Sequence, residues 1–240
     1  MYDIIYIGGG LNYAGAIMAA KKGLKVALVE KDLKQLGGVC LHKGCIPSKM
    51  LLHYAKIAHQ SQNDIFEGSL KLNMKTLVAK KDKLISSATK AVRAQCRDIE
   101  LIEGEGIIKK AHKVSVNDKV YEAKHIVIGT GSSPYIPDGI VYDAHNIITS
   151  DEVLNLQELP EAICIYGAGA IGLEMASFFA SNGVKVSLLS RDKGLQEKAH
   201  PLIQKAMIGQ LKYMGINFLE EHNITKAVSN AGEVVISLEN

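Results

Sequence analysis

Short apolar runs recur along the chain, each opening into glycines and then into a stretch of helical character. Ile4-Ile5-Tyr6-Ile7 leads into Gly8-Gly9-Gly10, an alanine-rich segment, and a second run from Gly23 through Val26-Ala27-Leu28-Val29 to Glu30. The order reads strand, glycine turn, helix, strand. It returns about 160 residues later, where Ile163-Cys164-Ile165-Tyr166 opens into Gly167-Ala168-Gly169-Ala170-Ile171-Gly172, a helix through Ala180 follows, and Val184 to Ser190 forms the next strand. Between the copies the pattern predicts helices over 50–58 and 74–96, and short strands at 99–108, 113–116, 120–121 and 125–128. Beyond the second copy it predicts a helix over 199–214 and strands at 216–219, 224–228 and 234–238.

Each repeat is a βαβ start whose glycines permit a tight turn and close backbone approach. The helix N-terminus behind the turn offers unpaired N–H groups and a positive dipole end to a pyrophosphate. A single glycine pattern is weak evidence; two in strand–turn–helix context are much stronger. The copies differ in length: Gly23 lies 15 positions after Gly8, whereas Gly183 lies 16 after Gly167. The first has therefore lost a residue and with it the third glycine of the turn. Either Asn12 or Tyr13 stands in its place, so a distorted first turn is expected, with helix-to-strand packing reached some other way. At the end of the second strand, where a ribose is normally read, the first copy has Glu30, suited to the hydroxyls of an adenosine without an extra phosphate. The second copy has Ser190-Arg191 there, which fits a 2′-phosphate better and favours NADPH over NADH.

Composition narrows the classes. With 240 residues, 47% of them hydrophobic, the chain has material for one large domain or two of ordinary size. The net charge of +3 is small and its basic residues are scattered, which argues against nucleic acid and membrane surfaces as partners. No apolar run is long enough for a signal peptide or a membrane span, so the cytoplasm is the expected location. Four cysteines do not make a secreted disulfide framework, and Cys96 and Cys164 are expected to be ordinary buried thiols.

Cys40 and Cys45 differ from those two in lying together, in Gly37-Gly38-Val39-Cys40-Leu41-His42-Lys43-Gly44-Cys45-Ile46-Pro47-Ser48-Lys49. On a straight helix, residues five apart are separated by roughly 7.5 Å of rise and turned about 140° from one another, which fits a disulfide badly. A bridge would require the segment to bend, with Gly44 expected to take the unusual backbone angles.

Gly37 to Lys49 resembles the redox-active segment of the class I pyridine nucleotide-disulfide oxidoreductases, and Ile46-Pro47-Ser48-Lys49 is most like the dihydrolipoamide dehydrogenases among them. Ile148 to Glu152 and Gly167 to Glu174 are similar to the family's entry into its nicotinamide-nucleotide domain. The resemblance implies an α/β fold with two Rossmann-like (FAD/NAD(P)-binding) dinucleotide domains, the second inserted after the first. An FAD domain with the redox-active disulfide would cover 1–148, and an NAD(P) domain, truncated at its C-terminus, 149–240. Cys45 would be the thiolate against the flavin, favoured by the helix that follows it, and Cys40 the thiol that exchanges with substrate. Lys49 would lie beside the flavin, paired with Glu174. FAD would be held by Gly8, Gly10, Glu30, Lys31, Gly38, Val39, Lys49, Gly106, Thr130, Gly131 and Ser132, and NAD or NADP by Gly167, Gly169, Gly172, Ser190, Arg191 and Ile224; no metal is implied.

The implied activity moves electrons between a small-molecule or lipoyl disulfide and NAD(P), through FAD and the Cys40–Cys45 pair. Family members continue into a further FAD-contacting segment and an interface domain, which makes them homodimers and supplies an acid–base histidine. Poor turnover is therefore expected of this chain alone, and His200 is not expected to be that histidine. Two alternatives stand: an NADPH-linked glutathione or mercuric type of reductase, and a truncated non-catalytic dinucleotide-binding module. His42 and Lys43 depart from the Asn and small apolar residue common in dihydrolipoamide dehydrogenases.

Overall fold

The computed structural model describes residues 1–195, 199–230 and 232–239. It divides into two compact units, Met1–Pro47 with Lys80–Ser133, and Ser48–Ala79 with Pro134–Asn240. The divisions at 47/48 and 79/80 fall inside two long helices, α3 (Cys45–Gln60) and α4 (Met74–Gln95).

In the first unit, β1 (Tyr2–Ile7), α1 (Asn12–Lys21) and β2 (Val26–Glu30) form the first repeat; a 3-10 turn (Leu33–Gln35) and the short helix α2 (Gly38–His42) lead to α3. After α4 come β3 (Glu100–Glu103), β4 (Ile107–Lys110), β5 (Lys113–Val116) and β6 (Lys119–Ile128). These strands make one sheet in the order β3-β2-β1-β6-β5-β4. β1 pairs in parallel with β2 and β6, and β2 with β3, while β4, β5 and the first part of β6 form an antiparallel meander.

Alternation along β1 and β2 sends side chains to both faces of the sheet. Tyr6, Val26 and Leu28 pack with Ala16 of α1, Val92 of α4 and Cys96 just beyond its end, while Ile5, Ile7, Ala27 and Val29 pack with Val114 and Val116 of β5. Both faces being covered, an unbroken apolar run is what these strands need. The 120–121 and 125–128 segments, separate in the sequence reading, are one strand: β6 pairs with β5 up to Glu122 and with β1 from Ala123 onward. The intervening Glu122-Ala123-Lys124 contains no turn former, so the chain stays extended through a polar interruption.

In the second unit, α5 (Ser150–Val153) starts at a capping box in which Glu152 Oε2 accepts from the Thr149 N–H at 2.7 Å. Then β7 (Ala162–Tyr166), α6 (Ala170–Ser181), β8 (Lys185–Leu189), α7 (Pro201–Tyr213) and β9 (Asn217–Leu219) build a parallel sheet of order β7-β8-β9. β10 (Asn223–Asn230) and β11 (Glu233–Glu239) form an antiparallel hairpin. Phe178, Phe179, Val186, Leu188 and Leu195 are buried together with Leu51 and Ala55 of α3 and Met74 and Leu77 of α4. That shared core is why residues 48–79 belong to this unit, where a single boundary at 148/149 was expected. Cys164, expected to be buried, is exposed; Cys96 is buried as expected. Among the described residues no helix is long and apolar enough to cross a membrane.

Leu51 is fully buried in the core of the second unit, whereas Ile57, on the same helix, is 40% exposed. In urea unfolding followed by circular dichroism, Leu51→Ala is expected to cost about 3 kcal/mol and Ile57→Ala less than about 1 kcal/mol. Equal costs would contradict the placement of this helix in the second core.

Candidate functional site

The first glycine turn is built by backbone groups pressed together at the tips of β1, β2 and β6. The Gly8 N–H donates to Val29 O and the Gly129 N–H to Ile7 O, both at 2.8 Å. Gly8 has φ +98°, and a Cβ there would overlap Gly129 O, so its φ and the space available both demand glycine. The Glu30 carboxylate, at the end of β2, turns back to this loop: Oε2 accepts from the Gly9 N–H at 2.5 Å and Oε1 from the Asp32 N–H at 3.3 Å.

Asn12 is the residue that stands in for the missing third glycine. It opens α1, and its Nδ2 donates to Ile7 O at 3.2 Å, while a Cβ on Gly129 would overlap its amide. Tyr13 packs instead against the core that holds Tyr6 and Leu28. A side-chain amide thus makes the helix-to-strand contact, and the turn is altered as expected. Leu11, at the N-cap of α1, supplies no side-chain cap, and the Tyr13 and Ala14 N–H groups of the first turn donate to Gly10 O and Leu11 O at 3.2 and 3.1 Å.

The dithiol segment docks directly on that turn. The Gly37 N–H donates to Gly9 O at 2.9 Å, and Gly38 lies so close that a Cβ on it would sit 2.5 Å from Gly10 Cα. Gly37 (φ +104°) and Gly38 (φ +65°) make the corner that starts α2. Gly44 does not have the positive φ expected of it. Its constraint is space: a Cβ would stand 3.0 Å from Val39 O and 3.3 Å from Cys40 Cα. The bend between the cysteines comes from the end of α2 at His42, followed by Lys43 at φ −135° and a restart of helix at Cys45.

The bend brings Cys40 and Cys45 together as exposed thiols. A side-chain hydrogen bond with Cys45, aided by partial burial and by the charge of Cys45, raises the Cys40 pKa above its ordinary value. Deprotonation at Cys40 is thus disfavoured by its neighbour, and Cys45 is the first residue of α3, at the positive end of that helix. Pro47 lies in the first turn of α3, where its missing N–H costs no helix bond.

Elsewhere in the first unit, Lys31 and Val39 are exposed, and Gly106 packs over the strand tips, where a Cβ would stand 2.9 Å from Ile7 Cγ2. Thr130, Gly131 and Ser132 are exposed just beyond β6, with Gly131 at φ +75°.

In the second unit the glycine turn repeats the first with one residue more. The Gly167 N–H donates to Leu189 O at 2.8 Å, as Gly8 does to Val29. Gly172 lies against Gly167 O with no room for a Cβ; in the first copy Asn12 instead bonds the carbonyl one residue earlier, Ile7 O. Cβ atoms built on Gly167 or Gly169 meet nothing within 4 Å, and Gly169 caps α6 without a side-chain bond. This turn therefore has open space over its backbone, as a bound phosphate requires.

Ser190 differs from Glu30 in more than charge. It is buried, and its Oγ accepts from the Asp192 N–H at 3.2 Å, while Arg191 is exposed. Ile224 is buried with Leu189 and Ala227, so its side chain serves the core. Lys49 of α3 and Glu174 of α6 form an ion pair, both side chains partly exposed. His200 Nδ1 accepts from the Leu202 N–H at 3.3 Å and so caps α7.

Comparison with known proteins agrees with this architecture. Residues 2–240 match the family model for pyridine nucleotide-disulphide oxidoreductases. The dihydrolipoyl dehydrogenase of Acholeplasma laidlawii is 35% identical over 94% of this chain and 70% of its own length. That of Bacillus subtilis is 34% identical over 91% of this chain and 50% of its own length. Among solved structures, the HOCl-induced flavoprotein disulfide reductase RclA from Escherichia coli superposes with a TM-score of 0.84 at 25% identity, covering 99% of this chain and 53% of its own. The chain thus spans from about half to 70% of the length of these relatives. With the family model matched along nearly its whole length, the chain belongs to the pyridine nucleotide-disulphide oxidoreductases.

Proposed function

We propose that this chain is the nucleotide-binding and dithiol-bearing part of a flavin-dependent disulfide oxidoreductase of the dihydrolipoyl dehydrogenase kind. It takes FAD on the first glycine turn, a nicotinamide nucleotide on the second, and a small-molecule or lipoyl disulfide at Cys40. The observation that carries this reading is the packing of the Gly37-Gly38 corner on Gly9-Gly10, which ties an interacting pair of thiols to a dinucleotide turn.

FAD, when bound, supplies two-electron exchange with both nicotinamide and dithiol. The residues contribute binding and proton control. The uncapped end of α1 faces the pyrophosphate, and Glu30 receives the adenosine ribose while holding the turn through Gly9. Cys40, whose deprotonation its bond with Cys45 disfavours, is the sulfur that meets substrate; Cys45, at the start of α3, is the sulfur kept for the flavin. Lys49, one turn further along α3, is the cation toward the flavin ring, with Glu174 as its counter-ion. Arg191, exposed beside the buried Ser190, reads a 2′-phosphate. The same reading keeps the protein in the cytoplasm, where such dithiols cycle.

The purified chain, supplied with FAD, is expected to be yellow and to gain a long-wavelength thiolate-to-flavin absorption band on mild reduction by dihydrolipoamide. Cys45→Ser removes that band and Cys40→Ser keeps it. A colourless protein that still binds nicotinamide nucleotide would support a non-catalytic module instead. Nucleotide choice is tested by fluorescence titration: NADPH binds more tightly than NADH, and Arg191→Ala weakens NADPH about tenfold while leaving NADH within about twofold, the effect of losing one charge-assisted phosphate contact. An equal loss for both nucleotides would remove Arg191 from phosphate reading.

A further inference from the structure

We propose that His42 is a positioning residue for the dithiol, its ring clamping the end of α2 to the peptide group that docks on the first glycine turn. The inference rests on the reading of Cys40 and Cys45 as a redox pair. His42 closes α2, two residues after Cys40 and three before Cys45, and is half-buried. Its Nε2 lies 3.1 Å from Leu36 O and 3.3 Å from Thr89 Oγ1.

The hydrogen on that nitrogen follows from its partners. A carbonyl has none to give, and the Thr89 hydroxyl donates its own to Ile85 O at 2.9 Å. Nε2 therefore carries a hydrogen, donates it to Leu36 O, and has Thr89 Oγ1 as a second acceptor. The Leu36–Gly37 peptide is thereby held on both sides: its carbonyl accepts from His42, and its N–H donates to Gly9 O at 2.9 Å. Because a peptide group is planar and rigid, fixing its oxygen also fixes the direction of its N–H. Two bonds in series on one amide also polarise each other in the strengthening sense.

Thr89 lies on α4, which is anchored in the first core through Val92, with Ile85 and Ala88 packed against it. Leu41 of α2 is buried in the first core with Leu36, and the His42 ring adds a polar hold at the end of the helix. A helix of five residues has little stability of its own. The clamp keeps Cys40 beside Cys45, so that the two sulfurs meet without first ordering the loop. The bond between these thiols and the raised Cys40 pKa are what this closeness produces.

The test is an exchange equilibrium on the full 240-residue chain. Glutathione disulfide oxidises the dithiol: one S–S bond forms between Cys40 and Cys45, the bond in glutathione disulfide breaks, and the two thiol protons pass to two glutathione thiolates. Acid quenching, alkylation and peptide mass measurement give the oxidised fraction at fixed glutathione ratios, and the pH dependence of Cys40 alkylation gives its titration midpoint. His42→Leu is expected to lower the oxidation equilibrium constant about fivefold, the worth of one ordinary hydrogen bond, and to move the Cys40 midpoint down toward that of an ordinary thiol. His42→Gln, whose amide donates from a similar reach, stays within about twofold of the wild type. Thr89→Val, which keeps the fold of α4, shifts both readouts the same way by less and carries the test should His42→Leu not fold. Wild-type values in both His42→Leu and Thr89→Val, or a His42→Gln shifted as far as His42→Leu, would overturn the clamp. A wild-type chain that forms no Cys40–Cys45 disulfide at any glutathione ratio would overturn the redox-pair reading itself, and the clamp with it.

Discussion

The constraint on which the first unit depends is the contact of one glycine corner with another, Gly37-Gly38 on Gly9-Gly10. No side chain intervenes. The Gly37 N–H bonds Gly9 O, the Glu30 carboxylate holds the Gly9 N–H from the other side, and Gly38 occupies a place where no other residue fits. A backbone contact of this kind leaves little freedom, because its bonds are made by rigid amides at the ends of strands whose registers the sheet has already set. The position of the cysteines then follows from chain length: α2, a two-residue link, and the first residue of α3. The α1 end and the two thiols are thus joined by this one junction.

The two repeats show how much of such a scaffold can change while its geometry persists. Gly8 and Gly167 make the same bond to the end of the neighbouring strand, at the same 2.8 Å. The third glycine, present as Gly172 against Gly167 O, has Asn12 in its place in the first copy, whose amide bonds a different carbonyl, Ile7 O at the end of the strand. At the end of the second strand the two copies diverge. Glu30 returns to its own glycine turn, whereas Ser190 closes a local turn with Asp192 and leaves the exposed Arg191 next to it. A carboxylate committed to the turn and an arginine in solvent make different demands on an adenosine, which is the physical basis for assigning different nucleotides to the two turns.

Much of this was legible in the sequence because both repeats use apolar runs, glycines and helical periodicity in the same order. β5 was located to the residue, and α4 to within one residue at its end, since Met74, Leu77, Val78, Leu84, Ile85, Ala88 and Val92 recur at helical spacing. The continuity of β6 was not legible: its polar middle is tolerated because the strand passes there from one set of neighbours to another. Nor was the membership of residues 48–79, which is decided by Leu51, Ala55, Met74 and Leu77 meeting Phe178 and Phe179 from more than 90 residues away. The need for a bend between the cysteines could be argued from helix geometry, but its source could not, because positive φ at Gly37 and Gly38 and crowding at Gly44 look alike as letters. His42 carried no signal beyond its departure from the residue common at that place. Its meaning lies in Leu36 and Thr89, one near and one far along the chain, and only the fold brings them to its ring.

The most direct measurement is a crystal structure of the chain reconstituted with FAD, read at one distance, from Cys45 Sγ to the nearest atom of the flavin ring. If the glycine-to-glycine junction places the dithiol on the cofactor, that distance is about 4 Å, ordinary van der Waals contact. A flavin bound with its ring more than about 10 Å from both sulfurs, beyond the reach of any side-chain contact, would contradict the coupling of turn and dithiol.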